Sequence, residues 1–395
     1  MKLNIWIVFA MINLTSHGQN YDEFTSTLLA FQHGDSASRE MIWNNLKAAR
    51  KLPLISHDSV AFLFRGQANS VAWMGDFNAW GYDKNFQALG KLIGKYFWIL
   101  KASFPVDARL DYKILVNGVE WRLDPNNPYQ QWSGVGGGSP NSELRMPAWR
   151  EDSAISSQPR ENGGTLSDDI LFYSTSLGYQ VMYKIYTPPQ YESLLNNPIM
   201  YVTDGYEYLH PKMGNMVAVL DNLIIGKKIK PIVAVFVDHR EPVNRSNNRR
   251  MEELALNPKY LSFFADELVP HVEKDLKVSG IPGERGILGT SMGGLNAAYF
   301  AFTRPDVFGL SGIQSPSFNN RPKIYTICDS PDNPKVKVSM TTGVINDASE
   351  GTRKMKAILE NYACVYHYKE VNEGQSWGNW RNLTDDILID FFGLK

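Results

Sequence analysis

Gly289-Thr290-Ser291-Met292-Gly293-Gly294 decides how this chain is read. A short strand-like stretch, Arg285–Leu288, precedes it, and an apolar helix-forming run, Leu295–Thr303, follows it. A serine set between glycines at a strand-to-helix turn presents its hydroxyl above the sheet, because the turn is too tight for larger flanking residues. The helix start adds partial positive charge, and the Met292 amide is placed to donate to an oxygen that becomes negative during reaction. The motif therefore predicts Ser291 as a nucleophile and Met292 N–H as an oxyanion donor.

Working outward, residues 169–395 alternate strands and helices. Ile170–Ser174 and Gln180–Tyr186 read as an antiparallel opening pair. Ile199–Thr203 and Ile232–Val237 are nearly all apolar, as buried central strands are. Strands are also predicted at Arg285–Leu288, Leu310–Gln314, Val336–Thr342 and Val365–Val371. Helices are predicted at Lys212–Ile225, Tyr260–Lys274, Leu295–Thr303, Glu350–Glu360 and Asn379–Phe392. This alternation predicts an α/β layer fold on a largely parallel sheet.

Residues 58–150 differ. Short alternating runs such as Val60–Phe64 and Tyr112–Val116, separated by turn residues, predict an all-β sandwich. Residues 19–57 carry apolar residues at helical spacing, with a Gly-Asp-Ser break at 34–36, and read as a helical lead-in. Residues 151–168 read as a linker. Residues 1–18, with one lysine before a short apolar run, read as a secretory signal peptide, predicting a secreted or periplasmic protein with no membrane span after its removal.

The chain has 395 residues, with 40 basic and 41 acidic side chains and a net charge of −1, so there is no basic excess to suggest nucleic acid. Its 43% hydrophobic and 21% charged content is that of a folded globular chain. Cys328 and Cys364 can pair or stay as thiols, and neither belongs to a metal motif. No metal and no cofactor are expected. Only seven histidines are present, at 17, 33, 57, 210, 239, 271 and 367.

Further residues carry a resemblance: the serine turn, Asp204-Gly205-Tyr206 after a strand, Phe263–Glu273, Arg304–Phe308, and Gly374-Gln-Ser-Trp-Gly-Asn-Trp-Arg381. Together they make the region from about 58 onward resemble the enterochelin-esterase and feruloyl-esterase group of serine esterases. The resemblance implies an α/β-hydrolase fold preceded by an immunoglobulin-like, early-set (glycogen-binding-like) sandwich. Gly75–Trp80 and Tyr112–Pro125 carry the sandwich part. Trp80 and Trp121 there are expected either to stack on sugar or to serve the core.

The resemblance also assigns a site. Asp347, in Gly343-Val-Ile-Asn-Asp347, takes the place of the catalytic acid, although an aspartate there also suits a helix N-cap; Asn346 and Glu350 are weaker alternatives. Tyr206 N–H takes the place of the second oxyanion donor, in a turn with Asp204 and Gly205. His239, Arg240 and Arg249, from an arginine-rich segment, and Trp377 and Trp380 are expected at the substrate. The family histidine position is occupied by Gln375, and a carboxamide does not take a serine proton. His210 or His239 can serve as a displaced base, whereas His271 and His367 are expected to lie away from the site. The resemblance thus implies an exported ester hydrolase acting on aromatic-acid or siderophore-type esters, with turnover impaired or absent. The alternative is a non-catalytic pseudo-esterase that binds a siderophore or carbohydrate-ester ligand; the expected partner in either case is a small-molecule or oligosaccharide ester. Gln375 itself is equally consistent with an engineered substitution.

Overall fold

Arg285–Thr290 is buried along its whole length, and both its neighbours are parallel strands, so the serine turn leaves the centre of a sheet. The computed structural model describes residues 16–83, 85–86, 88–134, 138–156, 162–330 and 335–394. Residues 1–15 of the expected signal segment lie outside the described residues. The chain divides into two compact units, one of residues 1–130 and 140–150, the other of residues 131–139 and 151–395.

The first unit contains β1 (Leu54–Ser56), β2 (Ser59–Arg65), β3 (Val71–Gly75), β4 (Lys91–Ile93), β5 (Phe97–Ser103), β6 (Arg109–Val116) and β7 (Glu120–Arg122); the hairpin β8 (Gln130–Ser133)–β9 (Ser139–Arg145) follows. One sheet runs β1-β2-β5-β4; the other runs β3-β6-β9, with β7 on β6. Alternation along β2 explains its double burial. Phe62 packs on Trp73, Phe77 and Tyr112 between the sheets, while Ala61 and Leu63 point the other way. That other face is covered by two helices, Ser16–His33 and Ser36–Ala48, through Leu28, Phe31, Trp43 and Leu46. Asp35 starts the second helix by accepting from Ser38 N–H at 2.8 Å. Trp80 is tied inward, its indole N–H donating to Asp76 at 3.1 Å, and Trp121 is exposed, 6.4 Å from it between ring centroids.

The second unit holds β10 (Thr165–Leu166), β11 (Ile170–Ser174), β12 (Tyr179–Thr187), β13 (Ile199–Val202), β14 (Val233–Asp238), β15 (Arg285–Thr290), β16 (Leu310–Gln314), β17 (Lys337–Gly343) and β18 (Tyr366–Val371). The order is β10-β12-β14-β13-β15-β16-β17-β18, with β11 on β12; β14 through β18 in this order are parallel. Residues 151–168 contribute a buried turn at Ser153–Ile155 and strand β10 to this unit, with 157–161 outside the described residues. Helices cover both faces. Val235, Tyr201 and Ile287 face one layer, packed by Leu295, Phe300, Tyr260 and Phe264. Ala234, Met200 and Leu288 face the other, packed by Val219, Leu223, Ile387 and Leu388.

Several elements differ from the sequence expectation: Leu54–Ser56, within the helical lead-in, is a strand, and the helix expected from Lys212 begins at Met216. The helix expected over 379–392 is two, Trp377–Arg381 and Thr384–Phe392, turned at Asn382-Leu383. The helical run over 258–273 includes a π-helical stretch, Phe263–Leu268, just before Pro270, whose ring cannot tolerate a regular turn behind it. Cys328 and Cys364 are both buried free thiols. No described helix is long and apolar enough to cross a membrane.

Candidate active site

The carboxyl ends of the parallel strands gather the expected residues. Ser291 follows β15 with φ 56° and ψ −113°, a strained conformation for a residue with a side chain. Close approach explains the glycines. A Cβ on Gly289 would lie 2.3 Å from the Gly293 backbone, and one on Gly293 would lie 2.6 Å from Thr203 Oγ1. The Ser291 backbone is held by its N–H to Gln314 O (2.9 Å) and by Ser317 N–H to its carbonyl (3.0 Å). Met292 and Tyr206 stand in the first turns of their helices, where N–H groups lack an intrahelical acceptor, and among the described residues neither donates to a backbone group outside its helix.

Gln375 is exposed and lies on Ser291: its Nε2 donates to Ser291 Oγ at 3.2 Å, while Ser317 Oγ sits 3.1 Å from the same oxygen. Asp347 follows β17. Its Oδ2 accepts from Ser315 Oγ (2.6 Å), Gly343 N–H (2.7 Å) and Asn379 Nδ2 (3.3 Å), whereas its buried Oδ1 has no hydrogen-bond partner among the described residues. Burial pushes the Asp347 carboxyl up to about 6. The loop carrying Gln375 is fixed from both sides. Asn379 Nδ2 donates to Gly374 O (2.9 Å), Gln314 Nε2 to Trp380 O (2.8 Å) and Trp377 N–H to Ser133 Oγ (3.3 Å).

A cavity of about 70 Å³ opens beside Ser291, lined by Gly134, Asp204, Glu207, Arg250, Thr290, Trp377 and Trp380. Asp204 is buried and clasped by Arg250, with Nη2–Oδ2 at 2.9 Å and a second contact from Nε to Oδ1 at 2.5 Å. Against the cost of burial, Arg250 holds the Asp204 carboxyl well below the usual range. Arg250 also donates to Thr290 O at 3.2 Å, tying the Asp204 turn to the serine turn.

The other expected substrate residues lie elsewhere. Arg240 is paired with Asp238 and stacked over Tyr206, 3.5 Å from the ring centroid, lining a separate cavity that includes Gly205 and Tyr206. Arg249 covers Tyr179, 4.1 Å from its ring centroid, and approaches Glu241 at 3.7 Å. His239 is buried, with Nδ1 2.6 Å from Glu253 and Nε2 3.0 Å from the Asp204 nitrogen. Burial opposes charge on this ring, but Asp204 and Glu253 outweigh it and raise its pKa. His210 stacks on Trp132, His271 packs on Phe172 and His367 faces Ser339. None of these four histidines hydrogen-bonds Ser291.

Arg250, Glu207, Thr290 and Gly134 were not anticipated. Arg250 neighbours Arg249 in the same basic run, and only the turn after β14 decides which of them reaches Asp204. Gly134 opens a glycine-rich stretch, and composition alone does not place it at the cavity.

A family model described as "Putative esterase" matches residues 174–391. The chain is 23% identical over 228 residues to the uncharacterized protein YjcH of Bacillus subtilis, covering 55% of this chain and 93% of that protein. It is 25% identical over 185 residues to an endo-1,4-beta-xylanase/feruloyl esterase of Xylanibacter ruminicola, covering 42% of this chain and 25% of that protein. Among solved structures, the enterobactin esterase FES of Shigella flexneri, crystallised in the presence of enterobactin, matches with a TM-score of 0.70 at 19% identity, over 84% of this chain and 92% of that one. The ferric enterobactin esterase of Salmonella typhimurium matches with a TM-score of 0.69 at 19% identity, over 84% and 93%. At such identities these two structures speak for the fold.

Proposed function

The chain belongs to the "Putative esterase" family, and on that premise we propose that its Ser291 site binds a carboxylic ester and turns it over weakly or not at all. The observation carrying this reading is the Gln375 amide donating to Ser291 Oγ at 3.2 Å. A serine attacks an acyl carbon when a base accepts its proton. Here the oxygen receives an N–H instead, and the group offering it does not titrate at any ordinary pH.

In this reading Ser291 is the nucleophile, the Met292 and Tyr206 amides hold the carbonyl oxygen as it gains charge, and Asp347 is the acid that would orient a base. Asp204 and Gly205 shape the turn carrying Tyr206, and Trp377 and Trp380 wall the cavity. The oxyanion donors alone support a small residual rate. The proposed ligand class is an aromatic-acid or siderophore-type ester, following the enterobactin and feruloyl esterases among the relatives. We further propose export of the chain and an early-set sandwich for the first unit. The second reading, a binding protein without turnover, draws on the same Gln375 contact.

Gln375→His tests the proposal. Hydrolysis of p-nitrophenyl acetate, methyl ferulate and a trilactone siderophore is expected to rise by about 10²–10⁴ in kcat/KM. Equal activity in the two proteins overturns this account of the base. If neither protein turns over any ester and Ser291 resists an organophosphonate, the esterase reading fails.

A further inference from the structure

We infer that Ser317 is a second catalytic hydroxyl of the serine site, donating to Ser291 Oγ as that oxygen gives up its proton; this rests on the reading of Ser291 as the nucleophile. Ser317 Oγ lies 3.1 Å from Ser291 Oγ, so it touches the reacting atom itself. Its own turn places it there. Ser317 precedes a single helical turn, Phe318–Asn320, at the position where a serine ordinarily accepts from the N–H groups that follow. Among the described residues its side chain makes no such capping bond. The hydroxyl is turned onto Ser291 instead.

The backbone fixes that orientation. Ser317 N–H donates to Ser291 O at 3.0 Å, and Ser315 N–H donates to Thr341 O at 2.8 Å. Ser315 has φ 40°, a strained value for serine, and its hydroxyl donates to Asp347 at 2.6 Å. Phe318 is fully buried and packs on Tyr325, 5.9 Å between ring centroids. The helix that starts after Ser291 is pressed onto this turn: a Cβ on Gly294 would stand 3.3 Å from Pro316 Cα. One short turn thus serves the acid through Ser315 and the nucleophile through Ser317.

Valence sets the direction of the bond. A hydroxyl offers one hydrogen and two lone pairs, and Gln375 Nε2 already donates to Ser291 Oγ. At rest either serine can supply the hydrogen between the two oxygens. Once Ser291 has lost its proton its oxygen only accepts, so Ser317 only donates. In the Gln375→His protein, Ser291 Oγ bonds to the acyl carbon and the C=O electron pair moves to the carbonyl oxygen. The serine proton passes to the imidazole, and from there to the alkoxide that leaves as its bond to the acyl carbon breaks. Ser317 keeps its own proton throughout. A hydrogen bond to an oxygen that is gaining charge strengthens with that charge, so this one favours the transition state over the bound ester.

The test is Ser317→Ala and Ser317→Thr, each made in the full chain carrying Gln375→His. Alanine removes the hydroxyl and keeps the N–H that donates to Ser291 O. Its kcat on methyl ferulate is expected to fall by about ten- to a hundredfold with KM unchanged, and threonine, which keeps a hydroxyl, is expected to recover most of the loss. With glutamine retained at 375, Ser317→Ala is expected to slow organophosphonate labelling of Ser291 by a similar factor. Unchanged kcat and labelling, or a loss confined to KM, overturns the inference. So does an equal loss in the alanine and threonine proteins accompanied by a lower melting temperature in both, which marks a structural role. If Gln375→His hydrolyses the ester and Ser317→Ala keeps its rate, the esterase reading stands and this inference falls. If no protein of the set turns over an ester and Ser291 resists the organophosphonate in all of them, the esterase reading fails and takes this inference with it.

Discussion

Asp347 lets the proposed absence of a base be read as stability. Its carboxyl is buried, its Oδ1 has no partner among the described residues, and burial moves its pKa from 3.8 to about 6. That difference is worth about 3 kcal/mol between the two protonation states. The sign follows from proton binding. Below about pH 4 folded and unfolded chains both hold the proton. Between about 4 and 6 the folded chain keeps a proton the unfolded chain has released, so stability falls as pH rises. Above the folded pKa the full penalty of about 3 kcal/mol applies. Asp385, raised to about 7, and Asp76, raised to about 8, act with the same sign, so wild type alone does not isolate Asp347. Asp347→Asn does. An asparagine carbonyl in the place of Oδ2 still accepts from Gly343 N–H and Ser315 Oγ, and the side chain no longer titrates. Hydrogen exchange of peptides from β15–β17 reads the opening free energy of the second unit without interference from the first. The wild-type-minus-Asn difference is expected to change by about 3 kcal/mol between pH 4 and 7.5, against wild type at the higher pH. In Gln375→His, an imidazole N–H donating to Oδ1 is expected to shrink that change. A difference curve that is flat with pH refutes the reasoning, because it would mean the carboxylate is not penalised in the fold.

Arg250→Ala strips buried Asp204 of its two-point partner and is expected to cost about 3–5 kcal/mol in thermal unfolding of the second unit, with Arg250→Lys recovering part of it. Gly293→Ala forces a Cβ to 2.6 Å from Thr203 Oγ1 and 2.9 Å from Asp204 Oδ2; soluble protein, where obtained, is expected to lose organophosphonate labelling of Ser291. Phe62→Ala removes the ring shared by Trp73, Phe77 and Tyr112 and is expected to cost about 3–5 kcal/mol in the first unit, read by its near-ultraviolet circular dichroism melt.

Much of the second unit is legible in the chain because its parallel strands are buried on both faces and read as continuous apolar runs, as in Ile199–Val202 and Val233–Val237. The serine turn is legible for a different reason: backbone contacts as close as those of Gly289 and Gly293 admit no side chain, so composition and geometry coincide there. The arginines are not legible. In Arg249-Arg250 the residue type is right for clasping Asp204, but a single step along the turn decides between Tyr179 and the cavity. His239 illustrates the opposite limit. A histidine after a central strand has the credentials of a base, yet Glu253, fourteen residues away, claims one nitrogen, and the Asp204 turn the other. Pairings of that kind are tertiary, and spacing along the chain carries no trace of them.

The persistence of the loop around Gln375 has a physical explanation that needs no catalytic role for it. The supports of that loop come from Asn379, Trp377, Trp380 and Gln314, through backbone groups and buried rings, while the side chain at 375 is exposed. Exchanging histidine for glutamine at that position therefore leaves core and loop contacts untouched and removes only the titrating group. On the proposed reading the cost falls on Asp347, which accepts from three donors at Oδ2 while its Oδ1 has no donor among the described residues. Restoring one imidazole should therefore change both the chemistry of Ser291 and the titration of Asp347. If Gln375→His raises turnover while leaving the Asp347 titration unmoved, the imidazole acts without the acid, and the two residues do not form one unit.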